Sequence, residues 1–219
     1  MDWQALWLSL HLAAWTVALL LPVSVFGGWA LARARFRGKG LVEALVTLPL
    51  VLPPTVIGFY LLVGLGANSP VGQAWTAVFG KGLVFSFQGL VLASVVVNLP
   101  FAIQPAQRAF EAVPVALREA AACSGLSPLR ALGRVELPLA WPGVLTAMVL
   151  TFAHTLGEFG VVLMVGGSIP GQTRTVAVAI YDRVQAFDDA GAGQMALVLV
   201  GISIATILLT QVLSRRVAR

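Results

Sequence analysis

Residues Glu111–Pro142 read EAVPVALREAAACSGLSPLRALGRVELPLAWP and form the longest polar interval between strongly apolar segments. The Ala-rich run Val115–Ser124 favours a helix, and Gly125 can end that helix in a left-handed conformation. Ser127 and Pro128 are typical of the cap and the first turn of a second helix. The interval therefore predicts a helix, a turn and another helix, whose small side chains allow a partner to come close.

The composition of the chain places it in a membrane. Of its 219 residues 58% are hydrophobic and 11% are charged, whereas about 25% are charged in soluble domains. No polar interval is long enough for a soluble domain, so residues 1–219 are expected to form a single membrane domain. The net charge is +5, but the basic residues lie between apolar segments and form no basic face with interleaved aromatics, which argues against nucleic-acid binding.

Five apolar segments are long enough to cross roughly 30 Å of hydrocarbon as helices. They are Leu12–Ala32, Ala44–Leu65, Leu83–Gln107, Leu139–Gly166 and Ala192–Leu213. Because these runs are continuous rather than alternating, the strands of a membrane barrel are not expected. The predicted fold class is all-α, a polytopic membrane helix bundle of about five transmembrane helices with a cytoplasmic helix-turn-helix loop at about residues 108–141.

A sixth, shorter element is expected near Thr173–Phe187. Its apolar residues recur at helical spacing and are Val176, Ile180, Val184 and Phe187. We expect a short helix that lies along the outer surface.

The distribution of Lys and Arg predicts the orientation, because cytoplasmic loops carry the excess of these residues. Eleven of the 14 fall on one side: Arg33, Arg35, Arg37, Lys39, Arg108, Arg118, Arg130, Arg134, Arg215, Arg216 and Arg219. The opposite side holds Lys81, Arg174 and Arg183. The N-terminus is therefore expected outside, with the polar interval and the C-terminus in the cytoplasm.

The second apolar segment contains Pro53, Pro54 and Thr55 inside the run LPLVLPPTVIGF. Proline removes helical hydrogen bonds, so this segment should face the interior of the bundle, where the freed carbonyls find partners. Broken helices line the pathway in many transporters, and a structural kink without a role in transport is the alternative.

The fourth apolar segment carries Glu158 as its single charge, with His154 one turn earlier on the same face. A buried acid is costly in a membrane and normally faces protein or water. We expect a role as a gate or in helix packing, with a purely structural capping role as the alternative. Thr151 and Thr155 join Thr55 as hydroxyl groups that could line a pathway, although Thr often bonds its own helix carbonyls.

The sequence contains no phosphate-binding loop of the form G-x-x-x-x-G-K-[ST]. It also lacks a nucleophilic triad, a metal-spaced His/Cys cluster and a paired-carboxylate site. The chain is therefore expected not to be an enzyme, and any ATP hydrolysis coupled to its function would have to take place elsewhere.

The polar interval resembles the EAA loop of the permeases of bacterial ABC importers. The matching residues are Glu119, Ala120, Ala121, Gly125, Val135, Leu137 and Pro138, at the spacing of that family, with Val135 where Ile is usual. Further segments look like the permease subunit of molybdate importers in the sulfate/molybdate group. These are LPPTVIGF at Leu52–Phe59, GEFG at Gly157–Gly160, GGSIPGQTRT at Gly166–Thr175 and IYDRVQAFDDAGA at Ile180–Ala192.

The resemblance implies a permease that works by alternating access in the bacterial inner membrane. Its expected partners are a second copy of the chain, two ATP-binding subunits that hold ATP and magnesium, a periplasmic oxyanion-binding protein and membrane lipid. The coupling residues it implies are Glu119, Ala120, Ala121, Gly125, Leu137 and Pro138. The pathway or gate candidates are Pro53, Pro54, Thr55, Thr151, Thr155, Gly157, Glu158, Phe159 and Gly160. The alternatives are a sulfate/thiosulfate importer, or a secondary transporter coupled to ions.

Overall fold

The computed structural model describes residues 1–217, with side chains described through residue 208. Its helices are α1 (Trp3–Arg33), α2 (Lys39–Val51), α3 (Pro54–Leu65), α4 (Pro70–Phe79), α5 (Phe87–Glu111), α6 (Val115–Cys123), α7 (Pro128–Ala131), α8 (Leu137–Gly157), α9 (Gly160–Gly166), α10 (Val176–Gln185) and α11 (Asp189–Val217). A π-helical turn, Leu132–Glu136, joins α7 to α8. The all-α prediction is confirmed. The predicted cytoplasmic residues Arg215, Arg216 and Arg219 fall outside the described side chains.

Four stretches of the described chain are long and apolar enough to cross a membrane. They are Trp3–Arg33, Phe87–Glu111, Pro128–Gly157 and the part of α11 up to Leu208. A fifth crossing results if α2 and α3 are counted as one bent span. The prediction of about five spans is confirmed on that count.

The second predicted span is not one helix, because α2 and α3 meet at an angle of 110°. Pro53 and Pro54 have no backbone N–H, so they cannot donate to the carbonyls four residues earlier. The last helical bond runs from Leu52 N to Leu48 O, and the chain restarts with Pro54 in the first turn of α3. The predicted single helix Ala44–Leu65 was therefore wrong in its geometry, since the two prolines break it.

The fourth predicted span, Leu139–Gly166, is also divided. Helix α8 ends at Gly157, Glu158 is extended, and α9 begins at Gly160. The Glu158 carboxylate accepts a hydrogen bond of 2.9 Å from the backbone N–H of Val161. Glu158 therefore lies at a helix break, and its carboxylate binds an N–H group in the first turn of the next helix.

The core of the bundle is built by α1, α5 and α8. Leu20 of α1, Ala102 of α5 and Ala147 of α8 pack in one buried cluster. The small residues allow close approach, and Ser24 in α1 donates to the carbonyl of Ala102 at 2.7 Å. Small and hydroxyl-bearing residues at helix contacts are typical of membrane bundles.

Polar contacts tie the helices together at the two ends of this bundle. At one end Arg174 forms an ion pair of 2.6 Å with Asp2, before the start of α1. At the other end Gln107 of α5 donates to Glu43 of α2 at 2.7 Å. The polar interval, α6 to the start of α8, follows α5 at this second end, where most of the basic residues lie.

The helix expected near Thr173–Phe187 is present as α10, but its face was predicted only in part. Val176 is fully buried, whereas Val184 is 50% and Phe187 93% exposed. Phe187 lies beyond the end of α10 and has a positive φ of 58°. The Asp188 carboxylate accepts a hydrogen bond from the Gly191 N–H and pairs with the Arg183 guanidinium, and these contacts hold the turn. Both contacts lower the pKa of Asp188.

Candidate functional site

The polar interval forms the helix-turn-helix that its sequence predicts. Gly125 has a φ of +74°, and the structure places nothing within 4 Å of a Cβ added there. The glycine is thus required by the backbone conformation and not by a lack of space. The N–H groups of Gly125 and Leu126 donate to the carbonyls of Ala122 and Ala121, at 2.9 and 3.1 Å. Ser127 then precedes Pro128, the first residue of α7.

Two of the predicted coupling residues are turned away from the surface. Glu119 and Ala120 are exposed on α6. Gly125, in the turn after α6, and Pro138, at the start of α8, are exposed as well. Ala121, however, is only 5% exposed, and Leu137 packs against a buried cluster of the bundle. The candidate coupling surface therefore comprises Glu119 and Ala120 on α6 and Gly125 in the turn that follows this helix, while Ala121 and Leu137 support it from inside.

The two helix breaks lie beside one another and border a cavity of about 280 Å³. Its lining includes Pro49, Leu50, Pro54, Phe101, His154 and Glu158. A Cβ added to Gly160 would lie 2.8 Å from the Cβ of Pro54, which shows how closely the start of α9 approaches that of α3. The structure thus brings the predicted pathway residues Pro53, Pro54, Thr55, Gly157, Glu158, Phe159 and Gly160 to one region.

A chain of polar side chains leads from the core of the bundle to this cavity. The amide nitrogen of Asn98 donates to the Ser94 carbonyl at 2.8 Å, so its oxygen faces Nδ1 of His154, 3.2 Å away. That geometry requires the imidazole proton on Nδ1. Nε2 of His154 then points toward Glu158, with 3.9 Å between Nε2 and Oε2. The His154 ring also stacks on Phe101, with 4.2 Å between ring centroids.

Thr151 and Thr155 lie in the core of the bundle and do not line the cavity. Both are buried, and Thr155 donates to the carbonyl of Thr151 at 2.8 Å. The hydroxyl of Ser94 also lies 3.5 Å from that of Thr155. Thr155 thus bonds its own helix, as threonines in helices often do, and the structure supplies no contact of either threonine with the cavity.

Three polar residues were not selected from the sequence as site residues. Asn98 and Ser94 could have been found as polar side chains inside a long apolar run, which usually face protein. Glu136 is only 1% exposed and forms an ion pair with Arg33 of α1. No sequence pattern links Glu136 to Arg33, because the two residues are far apart in the chain.

The long apolar helices and the bent pair of α2 and α3 indicate a membrane protein. Residues 24–219 match the family described as "Binding-protein-dependent transport system inner membrane component". The chain belongs to this family. It is therefore a multi-pass protein of the inner membrane and a transport subunit rather than an enzyme.

The chain is similar to permease proteins of molybdenum transport systems. The molybdenum transport system permease protein ModB of Azotobacter vinelandii is 53% identical over 196 residues, 89% of this chain and 86% of the relative. The protein of the same name in Escherichia coli strain K12 is 36% identical, and the match covers 98% of this chain and 94% of the relative. Among solved structures, a bacterial ABC transporter that imports the acidic polysaccharide alginate has the same fold, with a TM-score of 0.78 and 15% identity over 99% of this chain and 79% of that chain.

Proposed function

We propose that this chain is the permease subunit of an ATP-driven molybdate importer and forms the translocation pathway by alternating access. The similarity to the two molybdenum permeases, which extends over nearly the whole chain, carries the choice of substrate. The exposed coupling surface on α6 supports the mechanism, because a subunit without its own phosphate loop needs a contact through which ATP hydrolysis is communicated. ATP can drive transport only by interacting differently with two states of the permease.

The proposed complex contains two copies of this chain, two ATP-binding subunits and a periplasmic oxyanion-binding protein. ATP and magnesium bind in the ATP-binding subunits. Apolar side chains on α3 and α11 have no cover in the described chain, among them Tyr60 at 67% and Leu197 at 73% exposure. A second copy and membrane lipid would cover such surfaces, which supports the dimer.

The region of the two helix breaks is the proposed gate. Because α8 and α9 are separate helices, the segment around Glu158 can move without bending a continuous helix. The Glu158 carboxylate repels an anion, so capture belongs to the binding protein and the cavity is proposed to open only transiently. Thr55, exposed in the first turn of α3, is the hydroxyl residue that remains available to a passing anion.

Transport by the reconstituted complex decides the substrate. We expect proteoliposomes with the permease, its ATP-binding subunit and its binding protein to accumulate molybdate when ATP is supplied, and tungstate as a close analogue. Sulfate or thiosulfate uptake without molybdate uptake would correct the substrate only. Uptake without the ATP-binding subunit would instead favour a secondary transporter and contradict the proposal.

The orientation can be tested with the chain as it is, because Cys123 is its single cysteine and is exposed on α6. With the N-terminus in the periplasm, a membrane-impermeant maleimide should label Cys123 in inverted vesicles and not in intact spheroplasts. Added ATP-binding subunits should slow the labelling, because the coupling surface would then be covered. Equal labelling from the outside would contradict the proposed orientation.

A further inference from the structure

Glu136 occupies an unusual position for a carboxylate, because it is buried where the polar interval joins the bundle. It is 1% exposed, and its ion-pair partner in the described chain is Arg33 in the last turn of α1. Arg33 also lies over the ring of Trp29, with 5.1 Å between the guanidinium carbon and the ring centroid. The pair thus links the end of α1 to the residues that follow the coupling surface.

The backbone at Glu136 is also irregular. Residues Leu132–Glu136 form the π-helical turn, in which the N–H of Leu137 donates to the carbonyl of Leu132. Single π-helical turns inside α-helices are rare and often mark functional sites. This turn lies between α7, which continues from the coupling surface, and α8, which runs through the bundle to the helix break at Glu158.

The π-helical turn is also held by apolar packing. Leu132 packs in a buried cluster with Val25 of α1, Ala106 of α5 and Val144 of α8. The start of the π-helical turn therefore belongs to the same buried cluster as residues of all three core helices, and its end carries the charge that binds α1. A displacement of α6 and α7 would reach the core at this place.

We propose that the Arg33–Glu136 pair is a positioning pair that holds the π-helical turn against α1 and transmits the movement of the coupling surface to the bundle. This inference rests on the proposed function. A buried ion pair is seldom more stabilising than apolar residues of similar size. The ion pair is more specific than apolar packing would be, because it attaches one residue of the polar interval to one residue of α1.

Two variants separate transmission from stability. Glu136→Gln leaves Arg33 without its counter-ion, whereas the double variant Arg33→Met with Glu136→Leu removes both charges and is expected to restore a stable core. ATP hydrolysis and molybdate uptake are measured in the same proteoliposomes, and assembly with the ATP-binding subunit by size-exclusion chromatography. We expect both variants to assemble and hydrolyse ATP, but the uptake per ATP hydrolysed to fall at least about fivefold.

Lys39→Gln is the matched control, because it removes a basic charge whose ion-pair partner among the described residues is Glu43, one turn along the same helix. It should transport like the wild type. Uptake per ATP at the wild-type level in the double variant would overturn the inference, because the charges would then be replaceable by packing. Failure of the double variant to assemble would overturn it as well and assign the pair to folding. If the wild-type complex shows no ATP-driven uptake, the proposed function fails instead.

Discussion

The variant Glu119→Ala is expected to abolish ATP-driven molybdate uptake while the permease itself stays folded. Glu119 is exposed on α6, and none of the ion pairs among the described residues involves it. An exposed helical position tolerates alanine within about 0.5 kcal/mol of the free energy of unfolding. The carboxylate is thus available to a partner. Its removal should lower transport by the assembled complex and leave the stability of the permease unchanged.

The size of the effect follows from what such a contact contributes. Removing one member of a buried, hydrogen-bonded charge pair across an interface costs about 2–5 kcal/mol. Since about 1.4 kcal/mol corresponds to a factor of ten, we expect uptake to fall at least about thirtyfold. Size-exclusion chromatography and ATP hydrolysis in the same preparation report whether the ATP-binding subunit still assembles and works.

Asp189→Ala is the control for this experiment. It removes an exposed carboxylate at the start of α11, at the other end of the bundle. Uptake close to that of the wild type is expected, since Asp189 is far along the chain from the proposed coupling surface and follows the turn at Phe187 and Asp188. Glu119→Ala would contradict the proposed coupling surface if it transported as well as this control.

The second large effect is expected for Gly58→Ala in α3. A Cβ added at Gly58 would lie 2.7 Å from Cβ and 2.9 Å from Cγ of Met164 in α9. These distances are too short for carbon atoms, so α3 and α9 would have to separate beside the two helix breaks. Overpacking of this kind typically costs about 1–3 kcal/mol of stability. We expect a lower thermal unfolding temperature of the purified permease and a marked loss of uptake.

Gly64→Ala is the matched control in the same helix. The structure places nothing within 4 Å of a Cβ at Gly64, and alanine favours a helix over glycine by up to about 1 kcal/mol. The control should therefore be as stable as the wild type or more stable. If Gly58→Ala and Gly64→Ala unfolded at the same temperature, the close contact between α3 and α9 would not be needed.

Much of the architecture was predictable because its signals are local. Continuous apolar runs of sufficient length predicted the membrane helices, and Gly125 with Ser127 and Pro128 predicted the turn between α6 and α7. The spacing of Glu119, Gly125 and Pro138 predicts the coupling segment, and that role stays a prediction. These features depend on backbone propensity and on the cost of placing polar groups in lipid, and both can be read from neighbouring residues.

The two helix breaks of the proposed gate became visible only in the tertiary structure. Hydropathy treats Leu139–Gly166 as one run, whereas the backbone breaks at Glu158, whose carboxylate satisfies the N–H of Val161. Likewise, helical spacing assigned Phe187 to the apolar face of α10, although the chain has already left the helix there. Local patterns report which residues avoid water, but not where a few hydrogen bonds interrupt a helix.

The sequence by itself determined the membrane class, the all-α fold and the helix-turn-helix of the polar interval. Only the tertiary structure decided that Ala121 faces inward, that Thr151 and Thr155 belong to the core, and that Glu136 binds Arg33. The physical reason is that these outcomes depend on contacts between residues distant in the chain. Periodicity is a property of one helix, whereas burial, charge pairing and helix breaks depend on what the neighbouring helices supply.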